Sequence, residues 1–333
     1  MKAIKVLLKD AEKVKKELIS KKVLDLDYKA KKDSEHIYFG VKKSIKGYDL
    51  VEVELDKTKA KIKSLRDALK KELDKKELEL VKTSYDVIGS IAILEIDDEI
   101  RSKEKLIANK LLEVNKTIKT VLRKDSKHEG KYRTQKFKWL SGEKTKETIH
   151  KENGVLIKLD VENVYFSPRL GNDRKRISEL IEKNEEVVVV GSGCGPYPIV
   201  FSKLSKAKKI IGIEFNKKGH EYAFKNKELN KIHNVDFLLG DAKDKLKEIK
   251  EIDRIVLATP DNSADFYEES LKVVKKGGTI HYNAFCKKEE FKLLKQELEK
   301  KAKIHNKKIR ISIVKNGQHA PYVFRISADI KVL

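Results

Sequence analysis

Gly191, Gly193 and Gly195 stand at alternate positions directly after the apolar run Glu186-Val187-Val188-Val189-Val190, and Glu214 closes the next apolar run, Ile210-Ile211-Gly212-Ile213. Glycines so spaced let a backbone turn sharply at a strand end and lie against a flat ligand. Four consecutive valines favour a strand covered on both faces. A dinucleotide fingerprint, G-x-G-x-x-G, needs its third glycine where this chain has Pro196. Here the third glycine comes one residue early, at Gly195. G-x-G-x-G followed by an acid at the end of the second strand is the layout of an S-adenosylmethionine site, in which the Glu214 carboxylate would accept from the ribose hydroxyls. A glycine-rich turn with no ligand is the bland alternative, against which the placed acid argues.

The elements that must carry these residues alternate. Apolar runs at 187–190, 209–214, 235–239, 253–257 and 278–283 are separated by helical stretches, which specifies a parallel sheet with helices on both faces. Two more runs, 308–314 and 322–330, have no helix between them and should close the sheet as an antiparallel pair. Seven strands with such an end make the architecture of class I (Rossmann-like) methyltransferases. A ligand then lies across the carboxyl ends of the strands. Those ends carry the glycine loop, Glu214, Asp241 and Ala258-Thr259-Pro260-Asp261. Asp241 could accept from an adenine amino group or cap the helix that follows it, and the two roles are compatible.

Upstream, residues 1–56 read as a small α/β unit, with a strand at 3–8, a helix near 11–21 and strands near 37–41 and 50–55. Residues 57–63 read as a charged linker. The pattern is helical from Ser64 to about Leu78, then shows two short strands broken at Gly89 within 84–96, and a helix at 103–115. Asn153-Gly154 between the runs 148–152 and 155–159 is a strong hairpin signal. Between that helix and the hairpin lies the most basic stretch, residues 116–146, with His128, Tyr132, Phe137 and Trp139 interleaved. Cations beside aromatics suit phosphate contact and stacking on unpaired RNA bases. A solvated charged face with ordinary core aromatics is the competing reading.

The whole chain agrees with a polyanionic partner. It carries 76 Lys and Arg against 53 Asp and Glu, a net charge of +23, and both halves are basic. The charged fraction of 39% suits a thermophile-like surface. Two cysteines are too few for a disulfide framework or a metal site, and no apolar run is long enough to span a bilayer. The expectation is a cytoplasmic protein without metal or membrane anchor, acting as a monomer.

Tyr165-Phe166-Ser167-Pro168-Arg169-Leu170-Gly171, together with His150-Lys151-Glu152-Asn153-Gly154 and the segment 84–94, resembles archaeal tRNA guanine-37 N1-methyltransferases, with which related wyosine-biosynthesis enzymes share these features. The resemblance covers nearly the whole chain. It implies an α/β fold in three parts: a tRNA-recognition domain at 1–56, an α+β middle RNA-binding domain at 64–163, and a class I, seven-stranded methyltransferase domain at 164–333 that receives an extruded base. Methylating guanine N1 requires a base for its proton and a donor or cation near O6. The resemblance places these roles on Asp173 and Arg133, with Tyr165 and Arg169 positioning the substrate. The cofactor contacts it implies are Arg174, Gly191, Gly193, Gly195, Glu214, Phe215, Asp241, Ala242, Thr259 and Pro260. Arg133 could instead be a surface phosphate contact, and Asp173 the N-cap of a helix over 174–182.

Three departures stand out. Asp173 occupies a position where the family more often has Glu. Ala258-Thr259-Pro260 replaces Asn-Leu-Pro or Asn-Pro-Pro, losing an amide that helps to hold the base, although Thr259 and Asn262 offer polar groups nearby. Val190 stands where an acid is common. The leading reading is N1-methylation of guanine 37 in tRNA. The alternatives are a wyosine-pathway activity, either methylation of a tricyclic guanine or aminocarboxypropyl transfer, and a catalytically degenerate tRNA-binding protein.

Overall fold

A computed structural model describes residues 1–57, 64–126, 130 and 132–333. All but the first residue of the expected linker, and His128 of the basic stretch, lie outside the described residues. The chain forms two compact units, Met1–Ala68 and Leu69–Leu333.

In the first unit the strand Lys2–Leu7 lies between His36–Gly40 and Leu50–Glu52, antiparallel to both. Ile4 and Val6 alternate with outward residues, and the helix Ala11–Ser20 covers them with Val14 and Leu18, one turn apart on its inner face.

In place of the helical pattern expected through Leu78 there are two short helices, Leu65–Leu69, which ends where the second unit begins, and Lys75–Leu80 within that unit. The second helix opens on a capping box in which Asp74 and Glu77 satisfy each other's backbone N–H groups. The basic stretch hides two strands, Thr120–Lys124 and Phe137–Gly142, in a four-stranded sheet ordered Asp86–Ile88, Ile91–Leu94, Thr120–Lys124, Phe137–Gly142. Of their apolar residues, Val121, Leu122, Phe137 and Leu140 are buried and Trp139 is exposed, so Phe137 is no surface stacking platform.

The hairpin Glu147–Glu152 and Val155–Asp160 forms as expected. Its outer strand meets the helix Lys217–Leu229 and the residue that caps it. Asn226 accepts from Lys158 N–H at 2.7 Å and donates to Lys158 C=O at 2.8 Å. Asn230 treats Leu156 the same way, at 2.8 and 2.7 Å.

The large sheet runs in the order Val235–Leu239, Lys209–Glu214, Glu186–Val190, Ile252–Leu257, Val274–Lys287, Val323–Val332, Ile309–Ala320. The first five strands are parallel, and the last two join antiparallel, as expected. The valine run shows why the pattern is continuous rather than alternating. Val187 and Val189 enter the core on one face of the sheet, Val188 and Val190 that on the other, and each is at most 1% exposed. Each such side chain contributes about 1.5–3 kcal/mol on burial. Strand order reverses at Glu186–Val190, which sets a crevice at its carboxyl end.

Candidate functional site

The loop leaving Glu186–Val190 has Gly191, Gly193 and Gly195 at φ of +72°, +57° and +85°, a region that side chains rarely enter. At Gly191 the constraint is also steric, since a Cβ there would lie 2.3 Å from Thr259 Cγ2. The loop walls a cleft of about 1120 Å³ at the switch point, and of the residues named as cofactor contacts Arg174, Gly191, Gly193, Glu214, Phe215, Asp241, Ala242 and Thr259 line it, together with Arg133 and Tyr165. Two expected cofactor contacts do not line it. Gly195 precedes the helix Pro196–Leu204 and packs under Phe237, and Pro260 faces a neighbouring cavity of about 290 Å³ shared with Tyr165, Asn283 and Arg325.

Glu214 is held by the loop it serves. Its carboxylate accepts from Gly193 N–H and Asn216 N–H, both at 2.6 Å. Burial pushes its pKa above the usual carboxylate value, and the backbone donors pull it part of the way back. Asp241 caps the helix Ala242–Lys247 by accepting from Lys243 N–H at 2.9 Å, and it also lines the cleft, so the two readings of this residue coexist.

Arg174 is 1% exposed and fixed by a bidentate pair with Glu152 at 2.5 and 2.7 Å and by the Ser167 carbonyl at 3.1 Å. Its guanidinium lies 5.3 Å from the Phe166 ring and 5.5 Å from that of Tyr197. The Tyr-Phe-Ser-Pro-Arg-Leu motif and the His150–Gly154 segment therefore meet on one side chain.

Arg133 and Tyr165 come together, with the guanidinium 4.6 Å above the phenol ring, and Arg133 also pairs with Asp261 at 2.7 Å. Both residues line the first cleft and a second one of about 1100 Å³, and with Val164, Phe166 and Ser167, which also line both, they form the partition between the two. Arg169 lines the second cleft and is tied to Asp86 at 2.7 and 3.1 Å.

Asp173 is placed differently from expectation. It is not an N-cap: that position is Leu170, and Asp173 sits in the first turn of the helix Gly171–Leu180, 2% exposed. Its Oδ1 accepts from Arg176 at 3.0 and 3.2 Å and from Asn316 at 2.8 Å, and its Oδ2 accepts from the Tyr197 hydroxyl at 2.7 Å. Tyr197 lines the first cleft, and Asp173 stands behind it.

Ser192, Phe285, His319 and Arg325 line the clefts without having carried a signal that singled them out. Ser192 lies inside the glycine loop, and its buried Oγ lacks a hydrogen-bond partner among the described residues, as does Thr259 Oγ1. Tyr132 and Phe215, 47% and 40% exposed, meet at 5.8 Å in the cleft wall. Phe285, His319 and Arg325 reach the second cleft from the C-terminal strands. Trp139, expected among the stacking aromatics, lines neither cleft, and its indole N–H is donated to the Glu143 carbonyl at 3.2 Å.

A mostly parallel, seven-stranded sheet with a glycine-turned cleft at its switch point defines the class of Rossmann-like methyltransferase folds. A family model described as the TRM5/TYW2 methyltransferase domain matches residues 148–314, a TYW2 N-terminal domain matches 65–145, and a tRNA methyltransferase 5 N-terminal domain matches 3–49. The chain belongs to the TRM5/TYW2 methyltransferase family. It is 38% identical to tRNA (guanine(37)-N(1))-methyltransferase Trm5b of Pyrococcus abyssi, over 85% of this chain and 84% of that protein. A crystal structure of wild-type Trm5b from Pyrococcus abyssi superposes with a TM-score of 0.83 at 34% identity, covering 100% of this chain and 99% of that one. A complex of aTrm5 with tRNALeu gives a TM-score of 0.81 at 29% identity, covering 99% of each chain. TYW2 of Methanocaldococcus jannaschii, solved with AdoMet, gives 0.59 at 27% identity and covers 75% of this chain and 99% of that one.

Proposed function

We propose that this chain is an S-adenosylmethionine-dependent tRNA methyltransferase that modifies N1 of guanine 37, beside the anticodon. The observation that carries the reading is the junction of two clefts at Arg133 and Tyr165: the cleft beside the glycine loop and a cation-lined one share these two side chains. The match of residues 3–49 to a tRNA methyltransferase 5 N-terminal domain favours this over the TYW2 arm, whose AdoMet-bound structure covers only 75% of the chain. In this reading 1–56 recognises tRNA shape, 64–163 holds RNA, and 164–333 carries the cofactor. The protein works as a cytoplasmic monomer. No described helix is long and apolar enough to cross a membrane, and no group of three or more metal-ligating side chains occurs among the described residues.

The residues present fit the cofactor. A glycine loop in the left-handed region that leaves its backbone free of side chains, an acid at the second strand end, Asp241 and the part-exposed ring of Phe215 line one cleft. When bound, the cofactor supplies an electrophilic methyl group on a sulfonium. Glu214 would accept from the ribose hydroxyls, Asp241 from the adenine amino group, and Phe215 would lie against the ring. Arg133 would steady the charge that develops on guanine O6 as N1 attacks. Its pairing with Asp261 must then yield to the substrate. Asp173 would accept the N1 proton. Its oxygens already accept four hydrogen bonds, so this role requires the incoming base to displace one of the donors, Tyr197 or Asn316.

Methyl incorporation into unmodified tRNA carrying guanine or another base at position 37 tests the reading, and equal labelling of both would overturn the site assignment. Ala258-Thr259-Pro260 and its orphaned Thr259 hydroxyl keep a wyosine-type acceptor as the second reading. Mass spectrometry of the modified nucleoside separates the two, because a methyl and an aminocarboxypropyl group differ in mass.

A further inference from the structure

The second cleft has four cationic side chains in its lining, Lys124, Arg133, Arg169 and Arg325, against two acids, Asp86 and Glu95. Three of the four cations are already engaged. Lys124 pairs with Glu95 at 2.5 Å, Arg169 with Asp86 at 2.7 Å, and Arg133 with Asp261 at 2.7 Å. Arg325 is the exception: its one hydrogen bond goes to the Gln318 carbonyl at 3.3 Å, and no carboxylate lies within ion-pair distance among the described residues. It is partly buried. Burial holds its pKa below the usual arginine value and Arg169 adds repulsion, while Tyr165 and the more distant Asp86, already paired with Arg169, pull it only part of the way back. A desolvated guanidinium without a counterion costs free energy that an anion would recover.

The surroundings say which anion. Beside Arg325 the rings of Phe285 and His319 stack at 3.9 Å and 24°, and Arg133 lies 5.8 Å from the Phe285 centroid. Burial and Arg325 lower the His319 pKa, which favours a neutral ring that leaves Arg325 as the local charge. Arg325 lines the second cleft and the small cavity beneath Tyr165, but not the first cleft. It is therefore badly placed for a carboxylate of the cofactor and well placed for an anion that arrives with the acceptor base.

We propose that Arg325 binds a backbone phosphate of the RNA next to the acceptor nucleotide, so that the second cleft holds the strand while one base enters the first. The inference rests on the tRNA reading above. Its test is tRNA affinity measured across a salt series for the wild-type chain, Arg325→Ala and Arg325→Lys, with cofactor affinity measured calorimetrically for each. Loss of one phosphate contact on a single strand lowers the slope of log affinity against log salt by about 0.7. Arg325→Ala should show that loss together with roughly tenfold weaker tRNA binding. It should bind the cofactor like the wild type, which also shows that it is folded, and Arg325→Lys should restore the slope. A wild-type slope and affinity in Arg325→Ala overturn the proposal, as does a loss confined to cofactor affinity. If wild-type protein methylates guanine-37 tRNA and Arg325→Ala binds it normally, the phosphate site alone falls. If wild-type protein shows no transfer while the slope still drops in Arg325→Ala, the methylation reading falls and the phosphate site stands.

Discussion

Tyr197 donates its hydroxyl to Asp173 Oδ2 at 2.7 Å, tying the helix after the glycine loop to the helix that follows the Tyr165–Gly171 motif. Burial and the carboxylate together push the Tyr197 pKa far above the usual tyrosine value, so the phenol stays protonated and remains a donor. Tyr197→Phe keeps the ring in the cleft wall and removes one of the four donors. Unfolding free energy should fall by about 1.5–3 kcal/mol, the usual worth of a hydrogen bond to a charged group. Denaturant titration measures it, and an unchanged midpoint would show that Asp173 does not depend on this contact.

Glu152 neutralises a guanidinium that has almost no solvent contact. Glu152→Ala leaves Arg174 buried and unpaired, and this class of change costs about 3–5 kcal/mol. Exposed pairs such as Lys16–Glu12 should matter far less. Thermal unfolding of Glu152→Ala beside Glu12→Ala provides the contrast.

Gly191→Ala puts a methyl group 2.3 Å from Thr259 Cγ2 on a backbone at φ +72°. Cofactor binding should be lost. Adding Thr259→Ser removes the colliding carbon but not the left-handed strain of about 1–3 kcal/mol. The double variant should therefore recover binding only in part, and full recovery would show that the clash alone matters.

Cofactor affinity should depend on the protonation of Glu214. Ribose hydroxyls need the ionised carboxylate as acceptor, so affinity is full above the raised pKa and declines as pH falls through it. The decline begins at higher pH than an exposed glutamate would give. For folding the sign is opposite. The folded state favours the protonated acid, so stability attributable to Glu214 falls as pH rises through the same window and returns on acidification. Calorimetric titration from about pH 4 to 8 should show this dependence in the wild type and a weak, flat affinity in Glu214→Gln.

The glycine loop, Glu214 and the strand alternation were legible because each rests on local rules: φ signs, strand ends, and apolar runs covered on both faces. Asn153-Gly154 marked its hairpin for the same reason. The strands at Thr120–Lys124 and Phe137–Gly142 were not legible, since the first is buried at four successive positions, Arg123 among them, and the second at only two, so neither shows an apolar alternation. Asp173 was chosen by its place in a motif, which carries no information about Asn316, an asparagine 143 residues away that closes over it. Arg325 and His319 escaped for the same cause: sheet pairing near the C terminus, rather than any nearby sequence, brings them to the cleft.

The two asparagines that grip the hairpin have a consequence for behaviour in solution. The strand Val155–Asp160 pairs with Glu147–Glu152 on one side, and a strand's other edge ordinarily offers backbone groups to any passing chain. Asn226 and Asn230 occupy the groups of Lys158 and Leu156 at that edge, each as donor and acceptor at once. The helix thus stands in for a missing neighbour strand, and protects a concentrated, lysine-rich protein against edge-to-edge aggregation where charge repulsion alone would be screened by salt.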